Sequence, residues 1–171
     1  IGATGPAYYD MDNINVHHNE VNVEFATVGS GVQAFGIIVN GNGKDVKVHN
    51  NKVVSTGTNT GPSYVLVKVG FDASSTAETN PQNLQITDNF LSRVVNENYI
   101  TKGVNITNPV TATCNWYGVA DGASIAGLVA GSGITYAPWR TDGNSAAGTG
   151  FAPTGSCDGD FPVKVYANAA A

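Results

Sequence analysis

Few residues in this chain are of a type and spacing that could do chemistry. Hydrolysis of a glycosidic bond with inversion needs two carboxyl groups about 6.5–9.5 Å apart. The nearest acidic pair is Asp10 and Asp12, in Tyr9-Asp10-Met11-Asp12-Asn13. An extended backbone would set both on one face, and a turn or incidental ion site is the simpler reading. Arg93 is the one arginine within the repeated part of the chain and would have to act alone as the base of an eliminative cleavage. No calcium-binding acidic cluster accompanies it, which favours a solvated surface role. His17 and His49 fall at equivalent outward positions, where adjacent strands would bring them about 4.8 Å apart. Thr87 follows them at the next equivalent position, so no third metal ligand continues the row; stacked surface histidines are expected. Asp72 and Glu78 lie in the longest insertion, Asp72–Gln82, and could hold Ca2+ only with added backbone carbonyls. No other cofactor or metal is expected. Phe35, Tyr64 and Tyr99 each begin an alternating apolar segment. Stacked, such rings are either core filler or an exposed platform for sugar rings, so Tyr64 and Tyr99, with Asp72 and Glu78, are the candidate ligand-binding residues.

The elements that must carry these residues are readable from one recurring phrase. Ile14-x-Val16-x-x-Asn19, Val46-x-Val48-x-x-Asn51, Leu84-x-Ile86-x-x-Asn89 and Val110-x-Ala112-x-x-Asn115 align without a gap. An alternating apolar pair followed by asparagine reads as a half-buried strand entering a turn. Recurrence at a variable period of roughly 25–40 residues implies an all-β solenoid whose loops change length. Each coil reads as three strands: for the first, Ile14–His17, then Val21 to Phe25, then Ala34–Val39 after a Gly29–Gly31 turn. The second coil continues through Val53-Val54 and Tyr64–Val69, the third through Leu91, Val94, Val95 and Tyr99–Ile106. Equivalent strands run parallel, and Asn19, Asn51, Asn89 and Asn115 stack as a structural column, each amide bonding the next. An antiparallel sandwich, which would need hairpins every 8–12 residues or so, is the lesser alternative.

After the fourth asparagine come Asn115-Trp116-Tyr117-Gly118 and then Tyr136-Ala137-Pro138-Trp139. This pairing resembles the closing coil of right-handed parallel β-helix (pectate-lyase-like) domains of bacterial secreted and surface proteins, which carry Asn-Trp-Trp-Gly and Tyr-x-Pro-Trp. Tyr117 departs from that pattern. With the four phrases, the resemblance covers about Ile14 to Trp139. It implies a right-handed parallel β-helix of three to four coils with a C-terminal aromatic cap, in which Trp116, Trp139 and Tyr136 cover the open end. Related hydrolases of the polygalacturonase type present Asn-x-Asp, Asp-Asp and Gly-His-Gly with a later Arg-x-Lys; none occurs here. The domain division expected is coils over 1–118, a closing segment over 119–160 and an exit strand or linker over 161–171.

Composition narrows the partners. Charged residues make up 12% of the chain, with 21 glycines and a net charge of −5. The eight Lys and Arg are scattered singly, so nucleic acid, which needs clustered cations, is not an expected partner. No run approaches the ~18 apolar residues that span a bilayer, and membrane insertion is not expected. Cys114 and Cys157 are read as one disulfide, which places the protein in an oxidising, extracellular or cell-surface setting. A bridge closing a loop of about 43 residues stabilises by roughly 4 kcal/mol in the chain-entropy model. Since the repeat is already under way by Ile14, the chain is expected to be part of a longer protein whose other domains are partners. The function expected is a non-catalytic adhesin or stalk module binding glycans or other surface polymers. The alternative is a fragment of a polysaccharide lyase or hydrolase with its catalytic coils upstream.

Overall fold

Two backbone corners organise the fold. Asn13, Asp45 and Asn83 adopt left-handed φ angles of 58°, 55° and 51°, and His18, Asn50, Asp88 and Cys114 adopt 55°, 55°, 56° and 57°. Asn and Asp tolerate this region better than other side chains, because their short polar groups bond locally. Between the corners each turn inserts one short strand, so the two sets bracket equivalent segments of successive turns.

The computed structural model describes residues 11–24, 34–56, 64–70, 80–94 and 97–160. The first turn contains β1 (Asn15–His17), β2 (Glu20–Glu24) and β3 (Ala34–Val39). The second contains β4 (Lys47–His49), β5 (Lys52–Thr56) and β6 (Tyr64–Val69). The third contains β7 (Leu84–Thr87), β8 (Phe90–Ser92) and β9 (Asn98–Lys102). Thereafter follow β10 (Val110–Thr111), helix α1 (Gly122–Ala126), β11 (Val129–Ala130), β12 (Ile134–Thr135), β13 (Trp139–Arg140) and β14 (Cys157–Gly159). The sheets collect like strands: β1-β4-β7-β10-β12, β2-β5-β8 and β3-β6-β9-β11. Every pairing in these three sheets is parallel; β13 with β14 is antiparallel. The fold is therefore all-β and built on parallel sheets, and the antiparallel sandwich is excluded.

Register stacks like on like. Val16 pairs with Val48, Val48 with Ile86, and Val21 with Val53, then Leu91. These rows face the interior, where Val48, Val53, Ile86 and Leu91 are fully buried. The third circuit departs from its expected course at Val94, which lies beyond β8 and is 59% exposed. Val95, Phe25, the Gly29–Gly31 turn and residues 161–171 lie outside the described residues.

The far end of the stack is closed differently from expectation. Trp116 bridges Phe90 of the third turn on the outer side of the second sheet, level with Lys52 two turns earlier. It does not cover the end. Tyr117, two residues after the inward Asn115, points into the core with no exposure, its hydroxyl donating to the Ala112 carbonyl at 2.9 Å. Strand alternation explains the exchange, since neighbouring residues face opposite sides. Trp139 does belong to the core, 2% exposed, with its indole N–H donating to the Ala120 carbonyl and Tyr136 stacked on it at 6.3 Å. Helix α1, capped by Asp121 on the Ser124 N–H, adds buried Ile125.

The segment after β13 is not merely a loop over this end. It forms a long irregular hairpin, with Ser145 bridging Pro153 and Ala146 N–H donating to Ala152. The hairpin lies along the outside of the second sheet. Phe151 packs on Phe90 at 5.5 Å and exchanges hydrogen bonds with Asn50. The base is fixed by the Cys114–Cys157 disulfide and by Arg140, which bonds Asp88 at 2.6 Å and the Gly155 carbonyl.

Candidate functional site

The asparagine column is a scaffold. Asn19 Nδ2 donates to Asn51 Oδ1 at 2.9 Å, Asn51 to Asn89 at 3.0 Å, and Asn89 to Asn115 at 3.0 Å. The backbone N–H of each upper residue donates to the same oxygen. Asn51, Asn89 and Asn115 are completely buried, so the amides serve each other and the backbone and leave nothing for a ligand.

A second amide relay has a more open setting. It stands before the other corner, where Asp12, Lys44 and Gln82 bridge in parallel. Asn80 N–H donates to Asn42 Oδ1 and Asn108 N–H to Asn80 Oδ1, each at 3.0 Å. Asn108 Nδ2 donates to the carbonyls of Asn80 and Pro81, and Asn80 Nδ2 to the Thr107 hydroxyl. At the corner itself Asn83 Nδ2 donates to Asp45 Oδ1 at 2.6 Å. Asn42, Asn80, Gln82, Asn83, Asn108 and Pro109 line a cleft of about 540 Å3. Gln82 and Asn83 are exposed, while Asn42, Asn80 and Asn108 are half-buried. Five side-chain amides offer paired donors and acceptors with no formal charge. Such a wall can hydrogen-bond hydroxyl groups, and among the described residues that line it none carries a charge, a thiol or an imidazole. Sequence reasoning missed these residues. The available signal was the 38-residue separation of Asn42 and Asn80, the same as that of Asn51 and Asn89.

The residues singled out from sequence are dispersed. Asp72, Glu78 and Asp10 lie outside the described residues; Asp12 is exposed beside Lys44. Tyr64 and Tyr99 are 3% and 2% exposed, so neither ring is a surface platform. Nor do the three aromatics stack. Tyr64 pairs with Ala34, Phe35 with Val65, and Tyr99 lies between paired Asn98 and Ile100, level with Leu66. They occupy three different rows.

Arg93 proves to be half-buried rather than a freely solvated surface group. Its Nη1 donates to the Glu97 carbonyl at 3.0 Å and its guanidinium lies 5.4 Å from the Tyr99 ring centre. The Glu97 carboxylate, 2% exposed, accepts from the Ser55 hydroxyl at 3.1 Å. Burial pushes the Tyr99 hydroxyl above its ordinary pKa; the bond and charge of Arg93 oppose that, and Glu97 adds to it. A cation tied to a backbone carbonyl and an aromatic face is a structural group, ill placed to take a proton from a substrate. His17 and His49 are level on β1 and β4, their rings 5.2 Å apart and inclined at 19°. Among the described residues no three His, Cys, Asp or Glu side chains are gathered to hold a metal ion. No helix among them is long and apolar enough to cross a membrane.

Compared with protein-family models, with curated proteins and with solved structures, the chain matches none.

Proposed function

We propose that this chain is a right-handed parallel β-helix acting as a non-catalytic module of a secreted or cell-surface protein, an adhesin or stalk whose ligands are glycans. The observation that carries this reading is the cleft of Asn42, Asn80, Gln82, Asn83 and Asn108, an uncharged wall of amides on a rigid parallel-stacked frame. Amides bond sugar hydroxyls as both donor and acceptor, and a frame fixed by backbone ladders keeps them in place without ordering costs on binding. Three features support the reading: the return of like strands to three parallel sheets turn after turn, the closing Trp139 segment, and the Cys114–Cys157 bridge, which fits an oxidising compartment.

The test is a glycan array probed with the wild-type protein and with a Gln82→Ala, Asn83→Gly double variant. Both residues are exposed, and glycine keeps the left-handed φ of 51° at position 83, so the variant should fold normally. Binding to a set of neutral glycans, lost in the double variant, is the expected result. A blank array, or wild-type binding by the variant, removes the cleft from the proposal. New chain ends released from a polyuronate by the purified protein would replace the module with an enzyme.

A further inference from the structure

All three histidines of the chain meet on one patch. His17 and His49 stack there because both point outward at level positions of parallel strands. His18 follows β1, and a continuing strand would carry it to the opposite side. Its left-handed φ of 55° returns the ring instead. His18 Nδ1 then lies 2.8 Å from His17 Nδ1, with the ring planes at 88°.

We propose that His17 and His18 chelate a divalent transition-metal ion of the Cu2+ or Ni2+ type, with His49 stacked against the pair. Two ring nitrogens this close lie within reach of one ion, which binds both once the exposed rings turn their lone pairs off the line between them and toward it. Two nitrogens each about 2.1 Å from one ion stand about 3.0 Å apart at the right angle of a square-planar or octahedral site, and about 3.4 Å apart in a tetrahedral one. The observed 2.8 Å leaves the pair a small adjustment from the right-angled spacing, and the Irving–Williams order ranks Cu2+ highest at such a site. Both rings are exposed, so an ion reaches them without opening the fold. His49 Nδ1 stands 2.6 Å from Asn50 Oδ1, and Asn50 Nδ2 donates in turn to the Phe151 carbonyl. This chain of bonds puts the His49 proton on Nδ1 and fixes the ring against which His17 rests. Among the described residues no third acidic, thiol or imidazole ligand joins the pair, and water completes the coordination. The corner itself does not require histidine, because Asn50 and Asp88 hold the same conformation one and two turns on.

That equivalence supplies a folding-neutral control, His18→Asn. The untagged chain is titrated with CuCl2 near neutral pH by calorimetry, with electron paramagnetic resonance of the bound ion. One equivalent of Cu2+ showing coupling to two imidazole nitrogens is expected. His18→Asn and His17→Gln should each weaken binding by about tenfold or more, and His49→Gln by much less. Undiminished Cu2+ affinity in His17→Gln and His18→Asn, or a spectrum with a single coupled nitrogen, overturns the site. Displacement of bound Cu2+ by an equimolar amount of Zn2+ overturns the assignment to an ion of the Cu2+ or Ni2+ type.

Discussion

Asn89 shows how much one side chain does in this fold. Its oxygen accepts from the Asn51 backbone N–H and side-chain amide, and its nitrogen donates to Val48, Thr87 and Asn115. Val48, Asn51 and Asn115 are buried with it, so these partners cannot turn to water. An unpaired buried polar group costs about 1–3 kcal/mol, and Asn89→Ala leaves several. The expected loss is about 3 kcal/mol or more, read as a shift in the urea midpoint at unchanged slope. Asn19 occupies the same row but is exposed, so water replaces its partners and Asn19→Ala should cost under about 1 kcal/mol. Equal losses from the two substitutions would mean that the column contributes nothing as a buried relay. The column was legible in the sequence because a corner needing left-handed backbone plus a bonded amide selects a recognisable residue. Its neighbour was less so. Positions 18, 50, 88 and 114 share one conformation yet read His, Asn, Asp and Cys, because the corner constrains the backbone and leaves the side chain to other tasks.

Among the elements, strands were easier to read than what lies against them. The expected third strands Ala34–Val39 and Tyr64–Val69 coincide with β3 and β6, since a two-residue alternation bounded by glycine leaves little freedom. Tyr64 and Tyr99 are core filler, one of the two roles open to them in the sequence, but their stacking was not legible because being near the start of a strand does not set register; the ladder pairs Tyr64 with Ala34. The outer hairpin was invisible for a different reason: it has no period, and its place is decided by docking. Its tip offers a test. Gly148 and Gly150 both adopt positive φ, 142° and 79°, so alanine strains either backbone by about 1 kcal/mol. A Cβ at Gly148 meets nothing within 4 Å, whereas one at Gly150 runs into the backbone of Asn50 and His18. Gly150→Ala should therefore cost about 1–3 kcal/mol more than Gly148→Ala. It should also expose the hairpin to proteolysis as Phe151 leaves Phe90. Matching stability and cleavage for the two variants would show that the tip is not held to the stack.

At the scale of the whole molecule the stack is unequal from end to end. Val16 and Val21 of the first turn are half-buried, while Val48 and Val53 of the second and Ile86 and Leu91 of the third are 0% exposed. Beyond the third turn, Tyr117, Ile125 and Trp139 seal the interior. The hairpin's hydrogen bonds reach back as far as Asn50 in the second turn. The hairpin tip also approaches His18 of the first turn, but the interior row of that turn remains the least buried, so it should open first. Equivalent amides report each interface: Lys52 N–H donates to Asn19, Phe90 N–H to Asn51 and Trp116 N–H to Asn89, at 2.8, 2.8 and 2.9 Å. Their bonds are alike in length, so any difference in exchange reports opening of the turn and not strength of the bond. Native-state hydrogen exchange should find Lys52 the least protected, by about 1–3 kcal/mol relative to Phe90 and Trp116. Raising denaturant should merge Phe90 and Trp116 with global unfolding before Lys52 joins them. Identical protection at all three amides would mean that the turns melt as one unit, and that the burial gradient along the stack has no energetic consequence.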